Sequence, residues 1–137
     1  MRSRSQSHKV AKKIASDVVF SITECFGNLV KLQKQTWEGH ILDPSEGHPQ
    51  MSGYETLVQQ VLKDPFEVWE GMFPTSAVFI SEALVGPSPE GIRVVVNYRD
   101  ITFEKGSTTG FVTTAYPIDL VAYPTPRLGR RILKNRR

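Results

Sequence analysis

The sequence predicts a single-domain α+β fold, in which an N-terminal hairpin and two short helices precede an antiparallel sheet of about four strands. Three observations predict this class. Apolar residues with helical spacing lie early in the chain, mainly between residues 36 and 63, although residues 10–15 (VAKKIA) in the basic arm could also form a short helix. Segments rich in β-branched and aromatic residues follow between residues 77 and 118, and Gly, Pro and Ser turns separate them. Closely spaced strands with short turns favour an antiparallel meander.

The first elements are two strands that we expect to pair as a hairpin. Residues 17–24 (DVVFSITE) are β-branched and aromatic, as strands favour. A turn follows at Phe26, Gly27 and Asn28, and residues 29–35 (LVKLQKQ) alternate apolar and polar side chains. The hairpin therefore leads directly into the helical part of the chain.

Two short helices are predicted next. Thr36 is a suitable N-cap for a helix that begins at Trp37, and residues 52–63 (SGYETLVQQVLK) have the pattern of an amphipathic helix. Asp-Pro pairs at residues 43–44 and 64–65 end the two helices. The side chains expected on the buried faces are Trp37, His40 and Ile41 in the first helix, and Leu57, Val58, Val61 and Leu62 in the second.

The strands of the second half follow a short extended segment, residues 66–71, and cover residues 77–84, 92–103 and 110–118. Alternate side chains of a strand face opposite sides of its sheet. In the middle strand, the side expected to be open carries Arg93, Val95, Asn97 and Arg99, and the other side carries Ile92, Val94, Val96 and Tyr98. In the last strand we expect Val112, Thr114 and Tyr116 on one face, with the two hydroxyls beside Arg93 and Asn97.

Length and composition describe one soluble globular domain. With 137 residues, 39% of them hydrophobic and 23% charged, the chain can build one core. No apolar run reaches the roughly 20 residues that cross a bilayer. The single cysteine, Cys25, cannot form an internal disulfide, and no signal peptide is evident. We therefore expect a cytoplasmic protein without a membrane partner.

Charge divides the chain into an acidic body and basic ends. Of the 17 Lys and Arg residues, 11 lie before residue 14 or after residue 126, whereas all 14 acidic residues lie between these ends. We therefore divide the chain into a basic arm (1–16), an α+β domain (17–122) and a basic tail (123–137). Basic arms bind phosphate backbones through counterion release, but they also occur as plain solubilising tails.

Two histidines, two hydroxyls and an arginine are sufficient for RNA cleavage without a metal ion. His40 and His48 would be the acid and base, in either order, since the ordinary pKa of imidazole is about 6.5. Arg93 would stabilise the charge on phosphorus, and Thr114 with Tyr116 would orient the scissile group. DNA lacks the 2′-hydroxyl nucleophile, so the activity would be selective for RNA.

The order of these motifs resembles a known family. A hairpin, W-x-x-H-I-L, H-P-x-M, a helix closed by Asp-Pro and strands ending in V-x-T-A-Y resemble phage-associated nuclease-like domains, which are grouped with barnase, EndoU, the colicin tRNases and the RelE toxins. The resemblance covers residues 17–119. It implies a four-stranded antiparallel sheet and a toxin-like, metal-independent ribonuclease site without a cofactor. His40, His48, Thr114 and Tyr116 match its motif positions.

The resemblance also implies partners. RNA, with tRNA as one candidate, would be the substrate, and an inhibitor or immunity protein could accompany the enzyme. Arg93, Asn97 and Arg99 would bind the substrate.

Departures from the family pattern leave alternatives open. Gly47 and Gln50 flank the His-Pro pair where relatives often carry a basic residue and an acid, and Asn97 stands where a Lys or Arg is common. A noncatalytic RNA- or protein-binding module with an eroded site is therefore one alternative, and a structural phage component is another. Zinc binding by the two histidines with Asp43 or Glu46 is disfavoured, because their spacing is not that of a zinc site.

Overall fold

The computed structural model describes residues 17–82, 91–118 and 130–134, and within these ranges seven strands form a single sheet. The strands are β1 (Val18–Thr23), β2 (Leu29–Gln33), β3 (Glu67–Glu70), β4 (Ser76–Ser81), β5 (Ile92–Tyr98), β6 (Thr109–Pro117) and β7 (Arg131–Lys134). Their order across the sheet is β1-β2-β6-β5-β4-β3-β7. The predicted α+β class is confirmed, but the prediction of about four strands is wrong.

Two pairings account for the additional strands. β1 and β2 form the predicted antiparallel hairpin, and β2 then joins the main sheet by pairing parallel to β6 over Leu29–Lys31 and Thr109–Phe111. At the opposite edge β7 pairs antiparallel with β3. Part of the segment predicted as a basic tail is therefore a strand of the sheet. The pairs β3–β4, β4–β5 and β5–β6 are antiparallel, as the meander requires.

The first helical segment differs from the predicted helix. A single α-helical turn, α1 (Lys34–Thr36), continues into a π-helical turn over Trp37–Ile41, and the Leu42 N–H donates to the Trp37 carbonyl at 2.8 Å. Thr36 lies inside this segment and makes no capping hydrogen bond. A π turn holds more residues than an α turn, so His40 rotates away from the buried face and is exposed, while Trp37 and Ile41 remain buried.

The core lies between the helical segments and one face of the sheet. The second helix, α2 (Glu55–Lys63), buries Val58, Val61 and Leu62, whereas Leu57 is only partly buried. Met51, at the end of a 3₁₀ turn over Pro49–Met51, belongs to the same core. The sheet side chains that meet them are those of Phe20, Val30, Leu32, Val68, Ala77, Phe79, Ile92, Val94, Val96, Tyr98, Val112 and Ala115.

The opposite face of the sheet, which we call the second face, carries a smaller apolar cluster. Val78, Ile80 and Ile118 form it, with partly buried Trp69, Val95 and Tyr116 packed against them. The alternation predicted for β5 is confirmed, because Ile92, Val94, Val96 and Tyr98 face the core while Arg93, Val95 and Asn97 face the other way.

The face predicted for Val112 is wrong because β6 contains a β-bulge. Val96 pairs with Val112, but the neighbouring Val95 pairs with Thr114, which leaves Thr113 as the extra residue. Val112 is therefore buried in the core, while Thr114 and Tyr116 lie on the second face opposite Val95 and Arg93.

Some predictions fall outside the described residues. These are the basic arm over residues 1–16, the turn within residues 83–90 and most of the C-terminal tail. Within the described ranges, no helix is long and apolar enough to cross a membrane.

Candidate functional site

His48 is held by a compact loop between the π turn and the 3₁₀ turn. Its N–H donates to the Ile41 carbonyl at 2.5 Å, and the Gly47 N–H donates to the Asp43 carbonyl at 2.9 Å. The Asp43 carboxylate accepts from the Glu46 N–H at 2.9 Å and the Ser45 hydroxyl at 3.1 Å. The backbone around His48 is therefore tied to the helical segment before it.

Gly47 is required by this loop. A Cβ built on Gly47 would lie 2.6 Å from the Ile41 carbonyl oxygen and 2.8 Å from the Asp43 nitrogen, closer than real Cβ atoms approach such groups. A basic residue at this position would not fit without moving the backbone. The absence of a side chain at residue 47 thus has a steric reason in this loop.

His48 stacks on Tyr116 of β6. The two ring centroids are 5.2 Å apart and the ring planes differ by 27°. The imidazole is partly buried, so part of it remains accessible to solvent. This contact brings the H-P-x-M motif onto the T-A-Y motif, which lies almost seventy residues later in the chain.

Arg93 joins the same cluster through the sheet register. It pairs with Tyr116 across β5 and β6, and its guanidinium Nη1 lies 3.5 Å from the Tyr116 hydroxyl, a long and weak hydrogen bond. Among the described residues its buried Nε has no hydrogen-bond partner, and its guanidinium makes no ion pair with a carboxylate. The Arg93 residue as a whole is only partly buried, and a guanidinium is a group that binds anions.

The other predicted residues of β5 and β6 lie along the same face. Thr114 is partly buried opposite Val95. Asn97 is exposed, and its Oδ1 accepts from the Thr75 hydroxyl at 2.8 Å. Arg99 is exposed just beyond β5, with its guanidinium carbon 6.0 Å from the centroid of the Phe111 ring. Thr114 and Asn97 thus lie on the second face with the His48–Tyr116–Arg93 cluster, and Arg99 lies just beyond the end of β5.

His40 is not part of that cluster. Its side chain is exposed on the π turn, and in the described residues no hydrogen bond, ion pair or ring contact joins it to the others. The structure thus brings together His48, Tyr116 and Arg93, with Thr114 on the same face, and leaves His40 outside.

The described ranges offer neither a cluster of metal ligands nor a nucleophilic cysteine. They contain no group of three His, Cys, Asp or Glu residues that could hold a metal ion. Cys25 is exposed as a residue, but desolvation of its thiol, together with the negative charge of Glu24, raises its pKa to about 12. The thiol is therefore protonated at neutral pH and is a poor nucleophile.

The sequence analysis missed a buried polar network around Glu24. The Glu24 carboxylate accepts hydrogen bonds from the Tyr98 hydroxyl at 2.5 Å, the Asn28 amide at 3.1 Å, and the N–H groups of Phe26 and Asn28. Burial, followed by the charge of Glu24, raises the pKa of Tyr98 far above its ordinary value. Asn28 also donates to the Phe103 carbonyl and accepts from the Thr108 N–H. The network fastens the hairpin turn to the end of β5 and the start of β6.

Comparison with known proteins adds no assignment. The chain matches no protein-family model, and no curated protein or solved structure is significantly similar to it.

Proposed function

We propose that this protein is a metal-independent endoribonuclease that cleaves RNA by attack of the 2′-hydroxyl on the adjacent phosphorus. One observation carries the proposal: His48, Tyr116 and Arg93 come from distant parts of the sequence and meet in one partly exposed cluster. A proton-transfer group beside an unpaired cation is what this reaction requires.

In this mechanism the Arg93 guanidinium binds the scissile phosphate. Its terminal N–H groups would bond the nonbridging oxygens, whose negative charge increases in the pentacoordinate transition state, after giving up the weak bond to Tyr116. His48 would take the proton from the 2′-hydroxyl or give one to the leaving 5′-oxygen. Stacking on Tyr116 limits the rotation of the imidazole, and the Tyr116 and Thr114 hydroxyls would help to orient the phosphate.

The remaining predicted residues have supporting roles in the proposal. Asn97 and Arg99 would bind nucleotides that flank the scissile bond, because they follow Arg93 along β5. His40 would complete the acid/base pair only if substrate or loop movement brings it to the cluster. The resemblance alone suggests the cellular setting: a phage or mobile-element protein that would act on RNA such as tRNA and be restrained by an inhibitor protein. The single cysteine favours the cytoplasm.

The test is incubation of the full-length protein with total RNA and with tRNA in EDTA, followed by mapping of fragment ends. We expect fragments with 2′,3′-cyclic phosphates from the wild type. His48→Phe keeps a ring for stacking but removes proton transfer, so cleavage should fall by about 10²-fold or more. Arg93→Gln should also lose cleavage, whereas His8→Gln, outside the described residues, is the matched histidine control.

The results of this test separate the roles of the histidines. Full activity in His48→Phe, with the fold intact by circular dichroism, would refute the proposed role of His48. A loss in His40→Ala comparable to that in His48→Phe would make His40 the second member of the acid/base pair. If cleavage is unchanged in His40→Ala, the acid and base are His48 and a group other than His40.

A noncatalytic RNA-binding module is the second candidate. The separation of His40 from the cluster favours it, since a pair of histidines was expected for the acid and base. RNA binding without cleavage of either substrate, and with loss of binding in Arg93→Gln, would support this candidate over the nuclease.

A further inference from the structure

A groove of about 300 Å³ lies on the second face of the sheet, one step along β5 from Arg93. Its lining residues are Met72, Phe73, Ser76, Val95, Asn97 and Thr113. Val95 and Asn97 share the β5 face with Arg93, so the groove and the candidate site lie on the same side of the sheet.

The turn between β3 and β4 forms one wall of the groove, and hydrogen bonds within the turn fix its backbone. The Phe73 N–H donates to the Ser76 hydroxyl at 3.0 Å, and that hydroxyl donates to the Phe73 carbonyl at 2.9 Å. The Gly71 N–H also donates to the Ser76 carbonyl at 2.9 Å. These bonds hold the turn while leaving the side chains of Met72 and Phe73 87% and 62% exposed. The turn thus presents an aromatic ring and a thioether to solvent from a fixed backbone.

The opposite wall supplies polar groups. Asn97 is exposed, and because its Oδ1 already accepts from the Thr75 hydroxyl, its amide N–H groups are available to a ligand. The Thr113 hydroxyl, on the bulge of β6, donates to the Val95 carbonyl at 3.2 Å and has lone pairs left to accept. A flat ligand with hydrogen-bonding edges fits this combination of walls.

Charge and spacing indicate which ligand. Arg99 lies just beyond the far end of β5, six positions or roughly 20 Å from Arg93, whereas Arg93 lies two positions, about 7 Å, from the groove residue Val95. That is about the separation of neighbouring phosphates in an extended single strand. A base in the groove would therefore have its own or the next phosphate within reach of Arg93.

We propose that this groove binds a nucleobase of the RNA strand, stacked on Phe73 and bonded at its edge by Asn97, next to the phosphate held by Arg93. The proposal rests on the proposed function and specifies its substrate as single-stranded RNA with an unpaired base beside the scissile bond. Base stacking on exposed aromatic side chains is a common mode of single-strand recognition. The neighbouring Arg93 favours a nucleotide over an apolar side chain of a protein partner.

The experiment measures the dissociation constant of a fluorescein-labelled 2′-O-methyl hexanucleotide, AUGCAU, by fluorescence anisotropy with the full-length protein. The 2′-O-methyl groups block the nucleophile, so binding is measured without cleavage. A hexamer of abasic residues is the matched probe. The variants are Phe73→Ala, Phe73→Tyr, Arg93→Gln and Ile101→Ala, the last a truncation of an exposed apolar residue that does not line the groove.

We expect Phe73→Ala to weaken binding of the hexanucleotide about tenfold or more and to leave binding of the abasic probe unchanged. Phe73→Tyr and Ile101→Ala should bind both probes as the wild type does. Arg93→Gln should weaken binding of both, because it removes a phosphate contact.

Other results would overturn the inference. If Phe73→Ala binds the hexanucleotide normally while Arg93→Gln does not, the groove is no base site, although the phosphate site stands. If the wild type binds neither probe at low salt, the proposed function fails together with the inference. If sedimentation shows that the wild type self-associates and Phe73→Ala does not, the groove is a contact between copies of the chain.

Discussion

At the scale of single residues, two buried polar groups of this protein contrast sharply. The Glu24 carboxylate receives four hydrogen bonds, from Tyr98, from the Asn28 side chain and from two backbone N–H groups. The Arg93 Nε–H donates no hydrogen bond to a described residue. Buried polar groups are rarely left without a partner, since each costs free energy. Glu24 therefore serves stability, whereas the burial of the Arg93 Nε is not offset by a hydrogen bond to any described residue.

Replacement of Tyr98 by Phe tests the stabilising role of the Glu24 network. Loss of the hydroxyl should lower the free energy of unfolding by about 1–3 kcal/mol at pH 7, measured by urea titration. The pKa of folded Tyr98 is raised above its ordinary value of 10.0. Its contribution is therefore complete below pH 10 and declines above it, where the unfolded state ionises first. The gap between wild type and Tyr98→Phe should narrow above pH 10.

Tyr54→Phe is the control for that measurement. Tyr54 is partly buried, and its hydroxyl has no hydrogen bond to a described residue, so its removal should change stability by less than about 0.5 kcal/mol. An equal loss in the two variants would show that the hydrogen bond to Glu24 contributes nothing specific.

At the scale of elements, the loop that carries His48 depends on a glycine. A methyl group on Gly47 would collide with the Ile41 carbonyl and the Asp43 nitrogen, both of them backbone atoms. Gly39, in the π turn, has no atom within 4 Å of its position for a Cβ. The two glycines lie eight residues apart and differ in the space around them, so they form a matched pair.

Gly47→Ala should lower the free energy of unfolding by about 1–3 kcal/mol in urea titration, because the loop must move to admit the methyl group. Gly39→Ala should be neutral or stabilising by up to about 1 kcal/mol, since it reduces the freedom of the unfolded chain. Equal stability of the two variants would contradict the close packing of the His48 loop.

The elements also show where sequence reasoning succeeds and where it ends. Alternation in β5 and the turn at Gly27 are local signals, and they correctly predicted the faces of Arg93 and Val94 and the N-terminal hairpin. The bulge at Thr113 has no composition of its own, so the face of Val112 was predicted wrongly. The π turn likewise has no distinctive sequence pattern, which is why His40 was expected on a buried face.

The candidate site was predictable as a set of residue types but not as a cluster. The motif order pointed to His48 and Tyr116 but equally to His40, and strand alternation pointed to Arg93. The stacking and the unpartnered Nε depend on strand register and loop path. The groove residues Met72 and Phe73 gave no motif. The only indication in the sequence was that two apolar residues stand next to each other in a turn, where polar residues are usual.

At the scale of the whole molecule, the sheet is extended at both edges by segments remote in sequence. β7 covers the edge of β3, and its Ile132 and Leu133 pack against the core. Arg131 adds an ion pair with Glu67 at 3.8 Å and lies 6.0 Å from the centroid of the Trp69 ring. Without β7, the edge of β3 would lose the strand that pairs with it.

Deletion of residues 130–137 should therefore lower the free energy of unfolding by about 2 kcal/mol or more, from the apolar surface that becomes exposed. The bare edge should also promote self-association, measured by light scattering on warming. Deletion of residues 135–137 alone keeps β7 and is the control. Wild-type stability and scattering in the longer deletion would show that β7 adds nothing to the sheet.

The parallel pairing of β2 with β6 has a consequence for how the chain folds. Leu29 and Thr109 lie eighty positions apart, so the N-terminal hairpin leaves the ribosome long before the strand that it joins has been made. Pairings of such high sequence separation form slowly, because the intervening chain must be ordered first. During synthesis the edge of β2 would have no partner until β6 is made, so the hairpin would join the main sheet late. The hairpin would thus be synthesised well before the strand that completes its native contacts, and the period in between is when a chaperone would be of most use.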